Sequence, residues 1–326
     1  MANKYKLKDR IKVHIKAWGL PVLKWVVMIA AYLYLAYKLI TFNQYDALLA
    51  QWKQMPLSQW GWLLAVLILL PVNWLLEVLK WEMLTARFQK INLITAVKAV
   101  LAGISTGFFT PNRIGELVGR VMLLDADNRK AGVTMSVVNS LTQNLVIAIC
   151  GVPAALVYFY YTTSNISVDI ENFLLVLLAF TLIFSLLYFY LPRFSKFLSQ
   201  TNIANKIVGF TDCLYEYSTA DLIRIMLISL LRFCVFSFQF FLMLRFFGIQ
   251  LRLVDALIAI PTNYLFVTFS PSFAFSEAAV RSSYAVLFVG SYSGEVLNIA
   301  LAGISIWAIN FVIPMLVGSL VIAKEK

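Results

Sequence analysis

Charge is scarce in this chain. Of its 326 residues, 13% are Asp, Glu, Lys or Arg and 61% are hydrophobic. Soluble domains carry about 25% charged residues, so the deficit excludes an ordinary water-soluble globule. Histidine is nearly missing: His14 stands alone in a basic amino-terminal tail. Cysteine is limited to Cys150, Cys213 and Cys234, with no CxxC and no Cys/His grouping. Such a set supplies neither a disulfide framework nor a zinc site, and the cysteines read as small buried apolar side chains. HExxH, a nucleophile triad and a nucleotide-binding loop are all lacking, so no metal and no cofactor is expected and the chain reads as a non-enzyme.

What the chain has instead is long apolar runs. Residues 20–42, 60–79, 133–161, 172–191, 221–247 and 295–323 are each about the roughly 20 residues needed to cross a bilayer. The third run contains Gly151 and Pro153, where a bend is expected. The first run is too long for a signal-peptide core and reads as an uncleaved helix. The expected fold class is all-α: a polytopic membrane protein, one transmembrane domain over 1–326, with about six spans. The net charge of +11 follows the loops and does not imply nucleic acid. With the amino terminus in the cytoplasm, the inner segments hold 17 Lys and Arg and the outer ones only Lys53 and Arg252. That asymmetry predicts cytoplasmic amino and carboxyl termini.

Two segments between the runs look like copies of one another. GFFTPNRIGELVGRVMLL begins at Gly107, and VTFSPSFAFSEAAVRSSYAVLF begins at Val267. Each has an aromatic, a hydroxyl residue and a proline, then Glu-x-x-x-Arg: Glu116 with Arg120, and Glu277 with Arg281. The surrounding stretches, 97–125 and 255–290, each hold two apolar pieces too short to cross comfortably. They read as re-entrant helical hairpins, tolerated at membrane depth when buried in protein or lining a wet cavity. The alternative is two ordinary spans in each place. In the hairpin reading, 1–161 and 172–323 form an inverted repeat of span, span, hairpin, span, following the basic tail 1–19. Inverted repeats with broken helices mark transport sites.

The breaks fall at Pro111, with Gly115 beyond it, and at Pro271. Proline removes an amide donor and disfavours helix in the residue before it. Asn112 and Ser276 are the expected caps of the second half-helices. Gly115 and Gly119 would let a neighbouring helix or a headgroup approach. Arg113, Glu116 and Arg120 then form a net-positive group at a half-helix amino terminus, suited to an anion such as phosphate. Arg232 lies deep in the fifth span and needs a partner, with Glu77 and Glu277 the candidates. Arg224 and Arg245, nearer its ends, should snorkel. Asn73, Asn139, Gln143, Asn144, Asn263, Asn298 and Asn310 are read as interhelical hydrogen-bonding residues or as ligands. The Glu/Arg pairs themselves either bind substrate or pin the hairpins.

Pro111-Asn112-Arg113-Ile114-Gly115-Glu116 followed by Arg120 resembles the Pro-x-Arg-x-Gly-Glu-x3-Arg signature of the lysylphosphatidylglycerol synthase transmembrane-region family, the flippase-like membrane proteins. Leu79-Lys80-Trp81-Glu82-Met83-Leu84 is similar to that family's basic-Trp-x-x-Leu stretch. Ser270-Pro271 through Glu277 and Arg281 sits where the family has Pro-Gly-Gly-x-Gly-x-x-Glu, with Ser272 to Ser276 replacing the glycines. The third span is neutral over Val138 to Asn144, where the family often carries charge. The resemblance implies translocation of a membrane lipid, anionic or polyprenyl-linked, across the inner membrane. Any lipid modification is expected to fall to a separate enzyme. The competing expectation is a non-catalytic partner that scaffolds a lipid synthase or glycosyltransferase.

Overall fold

The computed structural model describes residues 56–108, 110–162, 168–199, 213–271 and 274–324. The first predicted run, 20–42, lies outside the described residues. Every regular element among them is helical. In chain order they are α1 (Leu57–Thr85), α2 (Leu93–Phe108), α3 (Gly115–Val121), α4 (Arg129–Thr162), α5 (Val168–Ser199), α6 (Thr219–Phe246), α7 (Leu253–Phe269), α8 (Ala274–Val289), α9 (Val296–Trp307) and α10 (Ile313–Lys324). Short 3-10 turns precede α3 and α4, and a π-helical turn at Ala308–Val312 joins α9 to α10.

Five of these stretches are long and apolar enough to cross a membrane: Leu57–Thr85, Ala126–Thr162, Asn172–Phe197, Thr219–Phe246 and Val296–Val321. They coincide with the second to sixth predicted runs, and the chain is a multi-pass membrane protein. α6 starts from a capping box: the Ser218 hydroxyl accepts the Asp221 amide at 3.2 Å, and the Ser218 amide donates to the Asp221 carboxylate at 3.0 Å. α4 runs as one helix through Gly151 and Pro153, where a bend is expected. Gly151 is there because α7 packs against it; a Cβ would lie 2.9 Å from the Pro261 carbonyl. α1 continues past the predicted end at 79 to Thr85, so Lys80 is a buried helical residue rather than part of a cytoplasmic loop. Of the cysteines, Cys213 is buried as expected, whereas Cys150 is half-buried and Cys234 exposed on α6.

Both duplicated segments are interrupted pairs of short helices. α2 packs along α3, and α7 packs along α8. Between α2 and α3 the backbone turns left-handed at Asn112 (φ 49°) and Arg113 (φ 59°). Asn tolerates that region better than most residues; a longer side chain pays roughly 1–2 kcal/mol there.

Apolar packing divides by height. One cluster includes Val66 and Leu70 of α1, Val146 and Ile147 of α4, and Phe233 and Phe240 of α6. Another includes Val78 and Trp81 of α1, Met135 and Val138 of α4, and Leu222 and Ile225 of α6. On all three helices polar residues lie among the intervening ones: Asn73 and Glu77, Asn139 and Gln143, and Ser229 and Arg232. The core is thus split by a polar layer.

Candidate functional site

Glu77 is the centre of that layer. Its Oε1 accepts from Arg120 Nη2 and, at 2.7 Å, from Asn139 Nδ2. Its Oε2 faces Lys80 Nζ at 3.1 Å and Arg232 Nη1 at 3.0 Å. Arg120 Nη2 also donates to Glu116. Gln143 ties two cations together, accepting from Arg232 Nη1 at 3.2 Å and Lys80 Nζ at 3.5 Å, while its amide donates to the Ser229 carbonyl at 3.2 Å. Arg232 Nε donates to Asn73 at 3.0 Å, and Asn73 donates to Asn310 at 3.1 Å. This inner cluster draws on α1, α3, α4, α6 and the π turn. The side chains of Lys80, Arg120 and Glu77 are 0%, 2% and 4% exposed. Two carboxylates face three cations, an excess of one positive charge. Ionised groups this deep persist only because each is paired with an opposite charge.

A second cluster joins the two interrupted segments. Arg113 Nη2 donates to both Glu277 oxygens at 3.2 and 3.1 Å. Arg281 donates to Glu277 Oε1 from Nε at 3.1 Å and from Nη2 at 2.8 Å. The Phe311 ring lies against both guanidiniums, 3.6 Å from Arg113 Cζ and 4.7 Å from Arg281 Cζ. Stacking of this kind contributes about 0.5–2 kcal/mol per cation. One carboxylate again faces two cations. This cluster is more open: Arg113 is 32% exposed and Arg281 16%.

The sequence folds this way for local reasons. Glu116 and Arg120, like Glu277 and Arg281, are one helical turn apart and pair on their own helix. Glycines allow α2 and α3 to close on each other. A Cβ on Gly119 would land on the Thr106 hydroxyl and the Ala102 carbonyl, and one on Gly103 would lie 2.7 Å from Arg120 Cγ. Gly115 and Gly119 therefore face α2, and the neighbouring helix they admit is the one preceding them in the same segment. Neither predicted cap serves. Asn112 lies ahead of α3 in the left-handed region, and Ser276 sits inside the first turn of α8. Thr110 takes that role at α3: its hydroxyl accepts the Gly115 amide at 2.7 Å. α3 spans 7 residues and that amide is engaged, so the positive field comes from side chains rather than a helix terminus.

All seven predicted charged residues, Glu77, Arg113, Glu116, Arg120, Arg232, Glu277 and Arg281, fall in these two clusters. Arg232 pairs with Glu77 and not with Glu277. Pro111 and Pro271 stand at the two breaks. Arg224 is exposed, and Arg245 reaches the Leu251 carbonyl at the end of α6 at 2.6 Å. Sequence reasoning places Lys80 in a loop, although its i,i+3 spacing from Glu77 is a usable signal. It misses Phe311, which has no signal among 25 phenylalanines.

A multi-pass helical protein with a positive, deeply buried charged layer and an ion-paired junction between two broken segments defines the class. The chain belongs to the family described as "Lysylphosphatidylglycerol synthase TM region", whose model matches residues 22–318. Membership places it among membrane proteins of lipid metabolism or transport. A search of curated proteins gave no match.

Proposed function

We propose that the chain is a lipid translocase, moving a lipid with an anionic phosphate headgroup across the bacterial inner membrane by alternating access. The observation that carries this reading is the Arg113–Glu277 pair, an ion pair linking the two broken segments at 3.1 Å. A charged contact between the tips of two duplicated elements is what opposed halves of a transporter need at their shared site. In this reading the segments are re-entrant hairpins, and 1–161 and 172–323 are halves of an inverted repeat with both termini cytoplasmic. The excess positive charge of each cluster favours a phosphate, which arginine grips through two donors. Glu77, Arg120 and Arg232 hold the layer together, while Arg113 and Arg281 meet the headgroup. The chain itself performs no covalent chemistry. A separate lipid-modifying enzyme acts on the same lipid, and polyprenyl-linked phosphates belong to the same chemical class of substrate.

The test is exchange of headgroup-labelled lipid in proteoliposomes. Arg113→Ala and Arg120→Ala should each slow exchange at least about tenfold, the scale of one lost charge-assisted contact. Wild-type rates in both variants would remove the site from the mechanism. The second reading, a scaffold for a lipid synthase or glycosyltransferase, draws on α5. Its long apolar face, including Phe173, Phe180, Phe184 and Leu187, is exposed. That role predicts stable co-purification that survives both substitutions.

A further inference from the structure

Glu277 holds an unusual place. It sits between two guanidiniums, both laid against one phenyl ring, and it is the carboxylate that Arg113 and Arg281 share. Four donor contacts from the two arginines, at 2.8 to 3.2 Å, converge on its two oxygens. Two forked donors around a compact oxyanion are the arrangement that binds a phosphate. Arg113 reaches this seat from a left-handed backbone and remains 32% exposed, whereas Arg120 in the inner cluster is 2% exposed. The first hairpin's arginine, Arg120, is anchored by Glu77 on α1, but Arg281 at the corresponding place has Glu277 alone as its ion-pair partner among the described residues. The two-arginine seat can therefore exchange an anion without dismantling the inner cluster.

We propose that Glu277 is an internal stand-in for the substrate's phosphate. Its carboxylate fills the two-arginine seat and gives it up when a phosphate mono- or diester arrives. When the headgroup leaves, the carboxylate recaptures both arginines. This deepens the translocase reading and rests on it for the role of the site. It makes an unusual demand: a residue at the heart of the binding site should weaken binding. A seat occupied most of the time by its own carboxylate shows an affinity lowered by the fraction of time it is free.

The full chain in detergent micelles should be titrated with dihexanoyl phosphatidylglycerol and, separately, with inorganic phosphate, binding being read by calorimetry. Glu277→Gln should bind the short-chain lipid about tenfold more tightly than wild type, as expected for a seat free roughly one-tenth of the time. Arg113→Ala should bind it more weakly. Glu277→Asp, whose shorter arm reaches the arginines less well, should fall between wild type and Glu277→Gln. It carries the comparison if the glutamine variant does not fold. Equal or weaker binding by the Glu277 variants overturns the stand-in and makes the residue a clasp or a direct ligand. A gain for inorganic phosphate without one for the lipid supports the stand-in but assigns the seat to a soluble anion. The expected gain in binding, alongside wild-type protein that exchanges no lipid in vesicles, upholds the stand-in and overturns the transport reading alone.

Discussion

Glu77 carries more of the molecule than its size suggests. One carboxylate holds Lys80, Arg120 and Arg232, which come from three different helices. Replacing it with Gln removes that negative charge and leaves Lys80, Arg120 and the half-buried Arg232 with Glu116 as the one carboxylate left in the cluster. Breaking a buried pair costs about 3–5 kcal/mol, and Glu77→Gln should lose at least that. A large drop in melting temperature, read by intrinsic fluorescence in detergent, is expected; a variant as stable as wild type would mean that the cluster is not ionised. Asn112 poses the converse case. Its φ of 49° suits Gly or Asn, so Asn112→Gly should melt at or above wild type, while Asn112→Val should lose about 1–3 kcal/mol. The same melting assay ranks the pair, and the reverse order would refute the strained turn. Residue-level legibility follows charge. In so apolar a chain an ionised group needs a partner, which makes Glu77 a candidate for Arg232 on sequence alone. Phe311 is one apolar residue among many, and only three-dimensional packing reveals that two guanidiniums lie on it.

At the scale of elements, α2 and α3 behave as one unit closed by small residues. Gly119 faces the Thr106 hydroxyl and the Ala102 carbonyl with no room for a methyl. Gly119→Ala should force the two helices apart and cost about 1–3 kcal/mol by overpacking. Because Arg120 rides on the same helix, that substitution should also slow lipid exchange, and Arg120→Lys should not reproduce the packing loss. The interrupted form of both segments is readable from Pro111 and Pro271, whose backbone chemistry stops a helix whatever surrounds it. The caps are not. Asn112 precedes the second half-helix at a plausible spacing, yet Thr110 takes the Gly115 amide because the chain doubles back on itself, a tertiary event that local propensity does not encode. The length of α1 is hidden for a related reason: Lys80 resembles the start of a loop until Glu77 neutralises it and Gln143 accepts its hydrogen bond inside the helix bundle.

The whole molecule is organised around a polar stratum with apolar packing above and below it. The proposed orientation rests on the charge asymmetry of its loops. Lys90 and Arg252, both exposed, are assigned to opposite sides of the membrane. In a background with the three native cysteines replaced, Arg252→Cys should react with a membrane-impermeant maleimide in intact spheroplasts, and Lys90→Cys only after permeabilisation. Labelling of both from one side would overturn the topology and with it the inverted repeat.

The π turn at Ala308–Val312 carries a consequence of its own. Asn310 in that turn meets Asn73 of the inner cluster, and its neighbour Phe311 lies beneath the arginines of the outer one. Further on, Gly318 is seated on the Leu101 carbonyl of α2. A π turn amounts to one inserted residue, and excising a single residue there would screw everything beyond it by about 100°. Gly318 would then swing away from α2 while Asn310 and Phe311 kept their posts, or the reverse. The added residue thus sets the phase between the two ends of one long rod, and a one-residue deletion should uncouple the clusters although every charge remains in the chain.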